Sequence, residues 1–600
     1  MIGCFGAPFI QYDDSAHVDS PIFADATSAW DYFVPKVGTS YIPIAMLSYK
    51  ADRWLHAGWA EKCFGSWAPG VRLDTLLLHA GAALFLWRLL TRLRFSERRA
   101  FFIALLFSVH PLVCETVCWV SERKNALSAL FGFAALWTQS LALPPVSQPD
   151  VGTFSGAAPF WRWPATCVLF GLALLGKPSA LGLLPIMALL ECVYRIPAIQ
   201  ARLFEAGESG AESSKSLVPS IVGLAALVVI AYVCLRVNLF THTGDIVAPP
   251  GGTVFTALLT DLEIFSRYFF SLVYPIRLSG MYYVEPILGP GDARAWTYGA
   301  IFFGTLAVTI FFARNRWLCA FGWVWFLSAM GTNANVIAIV HWMQDRYLYL
   351  AAPGFWIAIS EMAAGMNARY ASAKFKEKLP LALGAVFVAI CIPLTATRGY
   401  VWSSMYELSL DATRKQPQSF YAHYGLGGVL FARYKNAQPG SPHYEATHQA
   451  WRNEFLIALE KCPDAERYNF RQWVATELGI DAYSFRNVKD AERFFKIGAT
   501  KSTLAPDLTE SHSTSLAYLC MLDLYLKRDP AAALEKARES LRLMANDYGR
   551  FALVNAAAAC ARQDPKAKEE LVNEARKALA EISKDSGLRN VADALLKEIK

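Results

Sequence analysis

Long stretches without any charged side chain constrain this sequence more than any other feature. A helix needs about 18–20 apolar residues to cross about 30 Å of hydrocarbon. Five uncharged stretches are near or above that length, at residues 125–149, 216–235, 295–313, 317–344 and 379–397. Five shorter uncharged runs lie between charged clusters, at residues 75–87, 100–114, 163–176, 178–190 and 347–360. Any single run fits a buried helix of a soluble protein, but all of them together predict an all-α membrane domain.

Charged residues are concentrated in the last third of the chain. Of the 57 Lys and Arg and 50 Asp and Glu residues, 54 lie after residue 400. This shift predicts a multi-pass membrane domain at 71–398 and a soluble domain at 399–600. The net charge of +7 calls for no nucleic-acid partner, because basic residues also orient membrane helices. The 12 Cys residues include no CxxC pair, so they leave the redox compartment open.

Basic loops predict the orientation of the membrane domain. The basic residues form four groups: Arg88, Arg92, Arg94, Arg98 and Arg99; Arg195, Arg202 and Lys215; Arg314 and Arg316; and Arg369, Lys374, Lys376 and Lys378. Placing these groups inside leaves residues 111–124, 176–178, 240–295 and 333–346 outside. This alternation of inside and outside loops holds only if 254–277 is an interfacial helix that does not span the membrane. Residues 1–70 then form a first outer loop, so we expect a spanning helix before them that this sequence lacks, and the C-terminal domain emerges outside.

Beyond residue 400 the pattern changes to amphipathic helices in pairs. The segments 419–434 and 451–463 form one such pair, and Ala-rich helices follow at 515–543 and 551–579. Small and aromatic residues at helical spacing predict degenerate tetratricopeptide repeats that stack into a short solenoid. A plain helical bundle is the alternative.

Charged residues at the predicted outer ends of the helices are the candidate functional groups, because ionisable groups beside a membrane are costly. Asp13 and Asp14 follow the apolar stretch 7–10 and suit a general base, a cation ligand or a helix cap. In "HPLVCETVCWVSERKNALSALF", His110, Glu115 and Glu122 precede the adjacent Arg123 and Lys124. Such a pair of cations suits a phosphate or pyrophosphate, although a pair that extends to the membrane interface is the structural alternative.

Two further clusters are predicted to lie on the same face. Lys177 lies between Gly176 and Pro178, where two apolar helices break. His341, Asp345 and Arg346 open the helix of "QDRYLYLAAPGF". Asp345 fits a capping residue, whereas a cation such as Arg346 is unfavourable near a helix N-terminus unless it pairs with an anion. The convergence of these clusters, more than any single cluster, indicates a site.

These segments resemble a known family. The strings "YDDSAHV", "HPLVCETVCWVSERKNALSALF", "LALLGKPSALGLLPIMALLE", "RYFFSLVYPIRLSGMYY" and "QDRYLYLAAPGF" occur in order within residues 7–365. Together they resemble the transmembrane and tetratricopeptide-repeat O-mannosyltransferase-like family, which has a C-type glycosyltransferase fold. Two positions depart from the family pattern: Ile42 stands where an Arg is usual, and Asn125 where an Asp is usual.

The resemblance implies transfer of a mannose-like hexose from a polyprenyl-phosphate carrier to a protein hydroxyl on the outer face. It implies that Asp13 or Asp14 acts as the general base. Cations of the other clusters would stabilise the leaving phosphate, namely Arg123, Lys124, Lys177 and Arg346. Supporting polar roles are expected for His110, Glu115, His341 and Asp345. The repeat domain would bind the acceptor or a partner protein.

Two other classes of function compete with the enzyme. A catalytically inactive membrane scaffold would use the repeats to recruit proteins. A transporter of lipid-linked sugars would place its polar groups nearer the bilayer midplane. No cofactor is identified; a divalent cation, held by carboxylates or by His110 or His341, is left open. The short repeat array favours a bacterial inner membrane over the endoplasmic reticulum.

Overall fold

The computed structural model of the chain describes most of its residues. The described ranges are 2–10, 13–18, 28–36, 40–93, 95–141, 159–195, 218–241, 248–313, 316–337, 341–370, 378–462, 470–500 and 510–598. Within these ranges the secondary structure is helical and contains no strand, which confirms the all-α class. The chain divides into two compact units, Met1–Lys415 and Gln416–Lys600. The predicted boundary at 399 stays a prediction, and the short helix before Lys415 belongs to the first unit.

The described part of the first unit is a set of helices. In chain order its helices are α1 (Asp14–Val18), α2 (Pro43–Phe64), α3 (Ala68–Arg92), α4 (Glu97–Val109), α5 (Val113–Cys118), α6 (Arg123–Ser140), α7 (Arg162–Gly176), α8 (Leu184–Arg195), α9 (Val218–Thr241), α10 (Val254–Val273), α11 (Ala293–Ala313), α12 (Trp317–Gly331), α13 (Ala352–Tyr370), α14 (Lys378–Val401) and α15 (Met405–Lys415). Short 3-10 helices separate several of them, of which Val120–Glu122, Pro178–Leu183 and Asp345–Leu348 matter for the site.

Four helices in the described part of the chain are long and apolar enough to cross a membrane. They are Ala68–Arg92, Val218–Thr241, Ala293–Ala313 and Ala382–Val401. Large apolar side chains on them point outward, including Ile221, Val229, Phe303 and Val386. Contiguous apolar surface of this kind is costly in water and fits a hydrocarbon environment. These features are compatible with an integral membrane protein.

Two of the long uncharged runs are used differently from what their length suggests. The run 125–149 contributes to α6, and most of α6 is buried inside the unit. The run 317–344 forms only the 15-residue helix α12, and turns and a 3-10 segment follow it. Length without charge therefore did not separate lipid-facing helices from helices of the core.

Close backbone contact between α12 and α13 stabilises the centre of this unit. A Cβ atom at Gly322 would lie 2.6 Å from the Gly354 carbonyl oxygen, and one at Gly354 would lie 2.5 Å from the Phe326 nitrogen. Small residues let two helix backbones approach in this way. The indole of Trp325 then donates to the Leu350 carbonyl at 2.8 Å. This packing fixes the segment that carries Asp345 and Arg346.

Several predictions about membrane topology are not tested by the structure, in part because they depend on residues outside the described ranges. The helix α10 covers most of the predicted interfacial segment, buries Asp261 and Glu263, and is not among the four apolar helices. Its interfacial position stays a prediction, as does the orientation of the whole unit. Some basic residues used for the orientation lie outside the described residues: Arg94, Arg202, Lys215, Arg314, Lys374 and Lys376.

The second unit consists of helices that pack in sequence-adjacent pairs. They are α16 (Phe420–Asn436), α17 (Pro442–Lys461), α18 (Phe470–Ser484), α19 (Val488–Gly498), α20 (Glu510–Leu522), α21 (Pro530–Leu543), α22 (Asp547–Gln563), α23 (Lys568–Glu581) and α24 (Gly587–Lys597). Each of the first four pairs, from α16 with α17 to α22 with α23, is in contact. An aromatic core around Trp451 and Phe495 serves the earlier pairs, and an Ala-rich core around Ala556 serves the later ones. Pairing of this kind is expected of helical repeats, and the repeat solenoid itself stays a proposal.

Candidate functional site

A tight turn between α5 and α6 lies at the centre of the candidate site. The α5 helix ends at Cys118, and the 3-10 helix Val120–Glu122 leads directly into α6. Side chains of neighbouring helices hold the turn in place. The Tyr49 hydroxyl of α2 donates to the Val120 carbonyl at 2.7 Å. Arg72 Nε donates to the Cys118 carbonyl at 2.9 Å. These two bonds fix the direction in which Glu122 points.

Glu122 is a buried carboxylate surrounded by cations. Its oxygens lie 3.2 Å from Lys124 Nζ, 3.1 Å from Lys177 Nζ and 3.5 Å from Arg346 Nε. Asn125 Nδ2 also donates to Glu122 Oε2 at 2.5 Å. The pKa of Glu122 is held well below its usual range, because the attraction of the cations outweighs the desolvation that would raise it. We call Glu122, Lys124, Lys177 and Arg346 the Glu122 cluster.

Arg346 connects the Glu122 cluster to a second buried acid. Its guanidinium pairs with the carboxylate of Glu115, and its backbone N–H donates to Glu115 Oε2 at 3.1 Å. Burial raises the pKa of Glu115 to about 7, against the opposing effect of Arg346. The guanidinium also lies over the indole ring of Trp119, 5.4 Å from its centroid. The three cations and two carboxylates of this group carry one net positive charge when both carboxylates are ionised, and two when Glu115 is protonated.

Asp13 lies at the exposed edge of this group. Its side chain is accessible to solvent, and no described residue forms a hydrogen bond or ion pair with it. Protein atoms still surround it closely enough that desolvation raises its pKa. Lys124 and Arg346 oppose this rise, whereas Glu122 and Asp14 add to it. An accessible carboxylate with a raised pKa is a stronger base than an ordinary aspartate.

Asp14 has a different environment from its neighbour. It is fully buried, and its Oδ1 accepts from the Ser121 nitrogen at 3.0 Å and from the Ser121 hydroxyl at 2.7 Å. Its Oδ2 accepts from the Ile10 nitrogen at 2.8 Å. Burial raises the pKa of Asp14, and the bonds from Ser121 and Ile10 oppose the rise. Asp14 therefore connects the N-terminal segment to the turn, and Asp13 is the one of the two that is exposed.

The structure does not bring Arg123 into the Glu122 cluster. Arg123 is buried, and its guanidinium pairs with Asp52 on α2. It also donates to the Thr75 hydroxyl at 3.0 Å and to the Val71 carbonyl at 2.6 Å on α3. All of these partners anchor the first turn of α6 to α2 and α3. Arg123 therefore stabilises the packing of α6 on α2 and α3, and its donors are directed away from Lys124.

The two histidines and Asp345 occupy separate positions. His110 is buried, hydrogen-bonds through Nε2 to the Leu272 carbonyl at 3.2 Å, and has its pKa lowered by burial to about 3. Burial and the charge of Arg346 lower the pKa of His341 to about 3, which places His341 near the Glu122 cluster. Asp345 is buried and accepts from the Tyr282 hydroxyl at 2.6 Å. Its other oxygen pairs with Arg398 at 3.2 Å, in a network that includes Asp411.

One group of side chains in the described ranges has the spacing of cation ligands. Asp52, His56 and Asp74 bring one ligand atom each within 4.8 Å of one another. The carboxylate of Asp52 is already paired with Arg123. His56 Nε2 lies 2.7 Å from Asp74 Oδ2, and Trp59 Nε1 donates to His56 Nδ1 at 3.1 Å. Since Nδ1 accepts, Nε2 carries the proton that faces Asp74, which suits a hydrogen-bonded chain better than a metal site.

The sequence analysis did not assign a role to Glu122, although it named the cluster in which Glu122 lies. No pattern in the sequence indicated that a carboxylate would lie at the centre of the cations. Asn125 was noted only as a departure from a family pattern. In the structure it donates to Glu122, where an Asp would repel that carboxylate.

Comparison with models of known protein families gave no match for this chain. Comparison with curated proteins gave no match either.

Proposed function

We propose that the first unit is a membrane glycosyltransferase that uses a polyprenyl-phosphate sugar and transfers a mannose-like hexose to a protein hydroxyl. The observation that carries this proposal is the Glu122 cluster with Asp13 exposed at its edge. A cationic site for a phosphate and an accessible base are the two groups that such a transfer requires. The resemblance to the O-mannosyltransferase-like family supports the same reaction and remains a prediction.

The net charge of the Glu122 cluster with Glu115, counted apart from Asp13 at its edge, fits the proposed donor. A sugar linked to a lipid through one phosphate is a phosphodiester, and it carries one negative charge. The Glu122 cluster with Glu115 has one net positive charge when both carboxylates are ionised, and Lys124, Lys177 and Arg346 remain partly exposed, at 16%, 16% and 10% of their side chains. Donors held by a buried carboxylate are pre-oriented for an incoming phosphate. The apolar helices would hold the lipid chain of the donor in the bilayer.

The chemical roles follow from this geometry. Asp13 accepts the proton of the acceptor hydroxyl as its oxygen attacks the anomeric carbon. The bond from that carbon to the phosphate oxygen breaks, and the lipid phosphate leaves with its charge stabilised by Lys124, Lys177 and Arg346. Attack from the face opposite the phosphate inverts the anomeric centre. The second unit would bind the acceptor or a partner protein.

We also propose an integral membrane location, with the Glu122 cluster and the second unit on the outer, periplasmic or lumenal face. The four apolar helices support the membrane location. The bacterial inner membrane remains our preferred setting. A scaffold without activity is the alternative, and the experiment below separates the two.

Sugar transfer from radiolabelled polyprenyl-phosphate sugars tests the proposal. Membranes containing wild type, Asp13→Asn and Lys177→Met are compared at matched expression. Lys62→Met is the matched control, since it removes a lysine of the exposed end of α2. We expect transfer by wild type and Lys62→Met, and loss of transfer in the other two. Transfer that survives both site changes would contradict the site, and its absence from wild type with a range of donors would favour the scaffold.

A further inference from the structure

A buried carboxylate of α13 holds two arginines of other helices together. The side chain of Glu361 is 2% exposed, and each of its two oxygens pairs with a different arginine. Its Oε1 pairs with Arg99 near the start of α4, and its Oε2 lies 3.1 Å from Arg316 Nη1, directly before α12. We call Glu361, Arg99 and Arg316 the Glu361 cluster.

The Glu361 cluster lies far from the candidate site along the helices. Arg72, near the start of α3, donates to the Cys118 carbonyl beside the candidate site. Arg92 ends the same helix, about 30 Å further along its axis at a rise of about 1.5 Å per residue. The next helix, α4, begins shortly after Arg92, packs on α3 and carries Arg99 in its first turn. Since a hydrocarbon core is about 30 Å thick, the two sites would lie at opposite surfaces of a membrane.

Packing of the helices fixes both arginines of the cluster. A Cβ atom at Gly365, one turn beyond the carboxylate on α13, would overlap the Phe312 carbonyl oxygen near the end of α11. The backbones of α11 and α13 are therefore in close contact just before the chain reaches Arg316. On the other side of the carboxylate, Arg99 Nη2 also donates to the Ser360 hydroxyl at 3.2 Å. Both guanidinium groups are thus held in position before any ligand arrives.

The two arginines have more charge and more donors than the carboxylate takes up. A guanidinium has five N–H donors. Arg99 donates through Nη2 and Arg316 through Nη1, and their other N–H groups have no acceptor among the described residues. The two side chains are 30% and 37% exposed. Two guanidinium groups and one carboxylate give the cluster one net positive charge, and the neighbouring exposed Glu97 and Arg98 cancel each other.

Exposed apolar side chains lie beside these cations. Phe101 follows Arg99 on α4, and Phe311 lies near the end of α11, shortly before Arg316; both rings are exposed. Leu383 of α14 is exposed as well, and α14 passes close to α4, because a Cβ atom at Gly384 would lie 3.9 Å from the Phe102 ring. A ligand that carries both an anion and apolar chains would contact both kinds of surface.

We propose that the Glu361 cluster binds the headgroup phosphate of an anionic phospholipid in the leaflet opposite the candidate site. The proposal rests on the proposed membrane location and does not depend on the proposed sugar transfer. The phosphodiester of such a lipid carries one negative charge, which matches the cluster, and guanidinium donors bind phosphate oxygens in pairs. Basic sites between membrane helices recognise lipid headgroups in this way.

Two related ligands fit the site less well. A zwitterionic phospholipid carries a cation next to the same phosphate, and the two arginines would repel it. A soluble phosphate has the right charge but no acyl chains to contact Phe101 and Phe311. The bound lipid would connect α4 and α12 through Arg99 and Arg316, and it would therefore also stabilise the folded protein.

Native mass spectrometry of the purified full chain in a nonionic detergent tests the proposal. Phosphatidylglycerol is the anionic lipid, phosphatidylcholine is the zwitterionic one, and inorganic phosphate is added as the soluble competitor. Arg99→Gln and Arg316→Gln each remove one guanidinium and leave Glu361 paired with the other. Arg98→Gln is the matched control, because Arg98 is exposed, adjacent to Arg99 and outside the cluster.

We expect wild type and Arg98→Gln to bind one phosphatidylglycerol equally well. Each of the two cluster variants should bind it about fivefold more weakly, since one basic residue near an anionic headgroup contributes about that factor. Equal binding by wild type and both cluster variants would overturn the site, and so would an equal loss in Arg98→Gln. Equal affinity for phosphatidylcholine, or displacement of the lipid by an equimolar amount of inorganic phosphate, would overturn the ligand.

Two further comparisons separate this proposal from the proposed function. A loss of lipid binding in Lys177→Met but not in Arg316→Gln would place the lipid at the Glu122 cluster and overturn the site. Release of the wild-type chain from cell membranes by alkaline carbonate would overturn the membrane location, and the lipid site with it. A chain that stays in the membrane, binds the lipid through Arg99 and Arg316 and transfers no sugar would support the lipid site and contradict the reaction.

Discussion

Replacing Glu122 with Gln tests whether one buried carboxylate organises the candidate site. The substitution preserves the shape of the side chain and removes its charge from among Lys124, Lys177 and Arg346, which lie 3.1–3.5 Å away. At an effective dielectric constant of about 20, each pair contributes roughly 5 kcal/mol of attraction. Desolvation of the buried Glu122 and of the three partly exposed cations offsets most of this sum. Removing the charge of Glu122 leaves Lys124 and Lys177 without the acidic partner with which they pair, so we expect a net loss of about 3–5 kcal/mol in the free energy of unfolding.

Thermal unfolding of the purified protein in detergent measures this loss. A thiol-reactive dye reports on the region directly, because Cys114 and Cys118 are buried near the cluster. We expect the midpoint to fall by several degrees in Glu122→Gln. Glu61→Gln, which changes an exposed carboxylate of α2, serves as the control. Equal midpoints for wild type, Glu122→Gln and Glu61→Gln would refute the reasoning, since the three cations would then not depend on Glu122.

Further outcomes are expected. Asp14→Asn should destabilise the protein by about 1–3 kcal/mol, because an amide cannot accept all the bonds of a buried carboxylate; Asp13→Asn should instead leave the unfolding midpoint unchanged and abolish transfer. The transfer rate should rise with pH through the pKa of Asp13, and because that pKa is raised, the midpoint of the rise should lie above the ordinary aspartate value of 3.8 in a pH–rate profile. Arg123→Met should cost about 3–5 kcal/mol by leaving Asp52 unpaired, with donor binding by the folded fraction retained in a radioligand assay. Gly354→Leu should separate α12 from α13 and reduce the yield of monodisperse protein in gel filtration.

Several parts of the architecture could be predicted from sequence because they depend on local pattern. Uncharged apolar runs predicted helices, and the all-α class is confirmed. The charge-poor sequence around Val218–Thr241 and Ala293–Ala313 predicted helices that can cross a membrane. The same criterion did not identify the buried role of α6, because a helix in a protein core and a helix in lipid both exclude charge. Only the packing of α6 against α3 and α7 distinguishes them.

The composition of the candidate site could be predicted in part, because charged groups at the ends of apolar helices are rare and costly. Lys124, Lys177 and Arg346, which are far apart in the chain, do come together. Asp13, Glu115 and His341 lie beside them. No sequence pattern indicated that the acid between the cations would be Glu122.

The sequence by itself determined where two charged residues stand next to each other. The tertiary structure decided which surroundings each member of such a pair has. Asp13 is exposed while Asp14 is buried against Ser121. Lys124 turns to Glu122 while Arg123 turns to Asp52. Arg123 and Lys124 are adjacent in α6, and adjacent residues of a helix point about 100° apart, so they meet different partners. Asp14 and Ser121 are 107 positions apart in the chain, and only the packing of the helices brings them within reach.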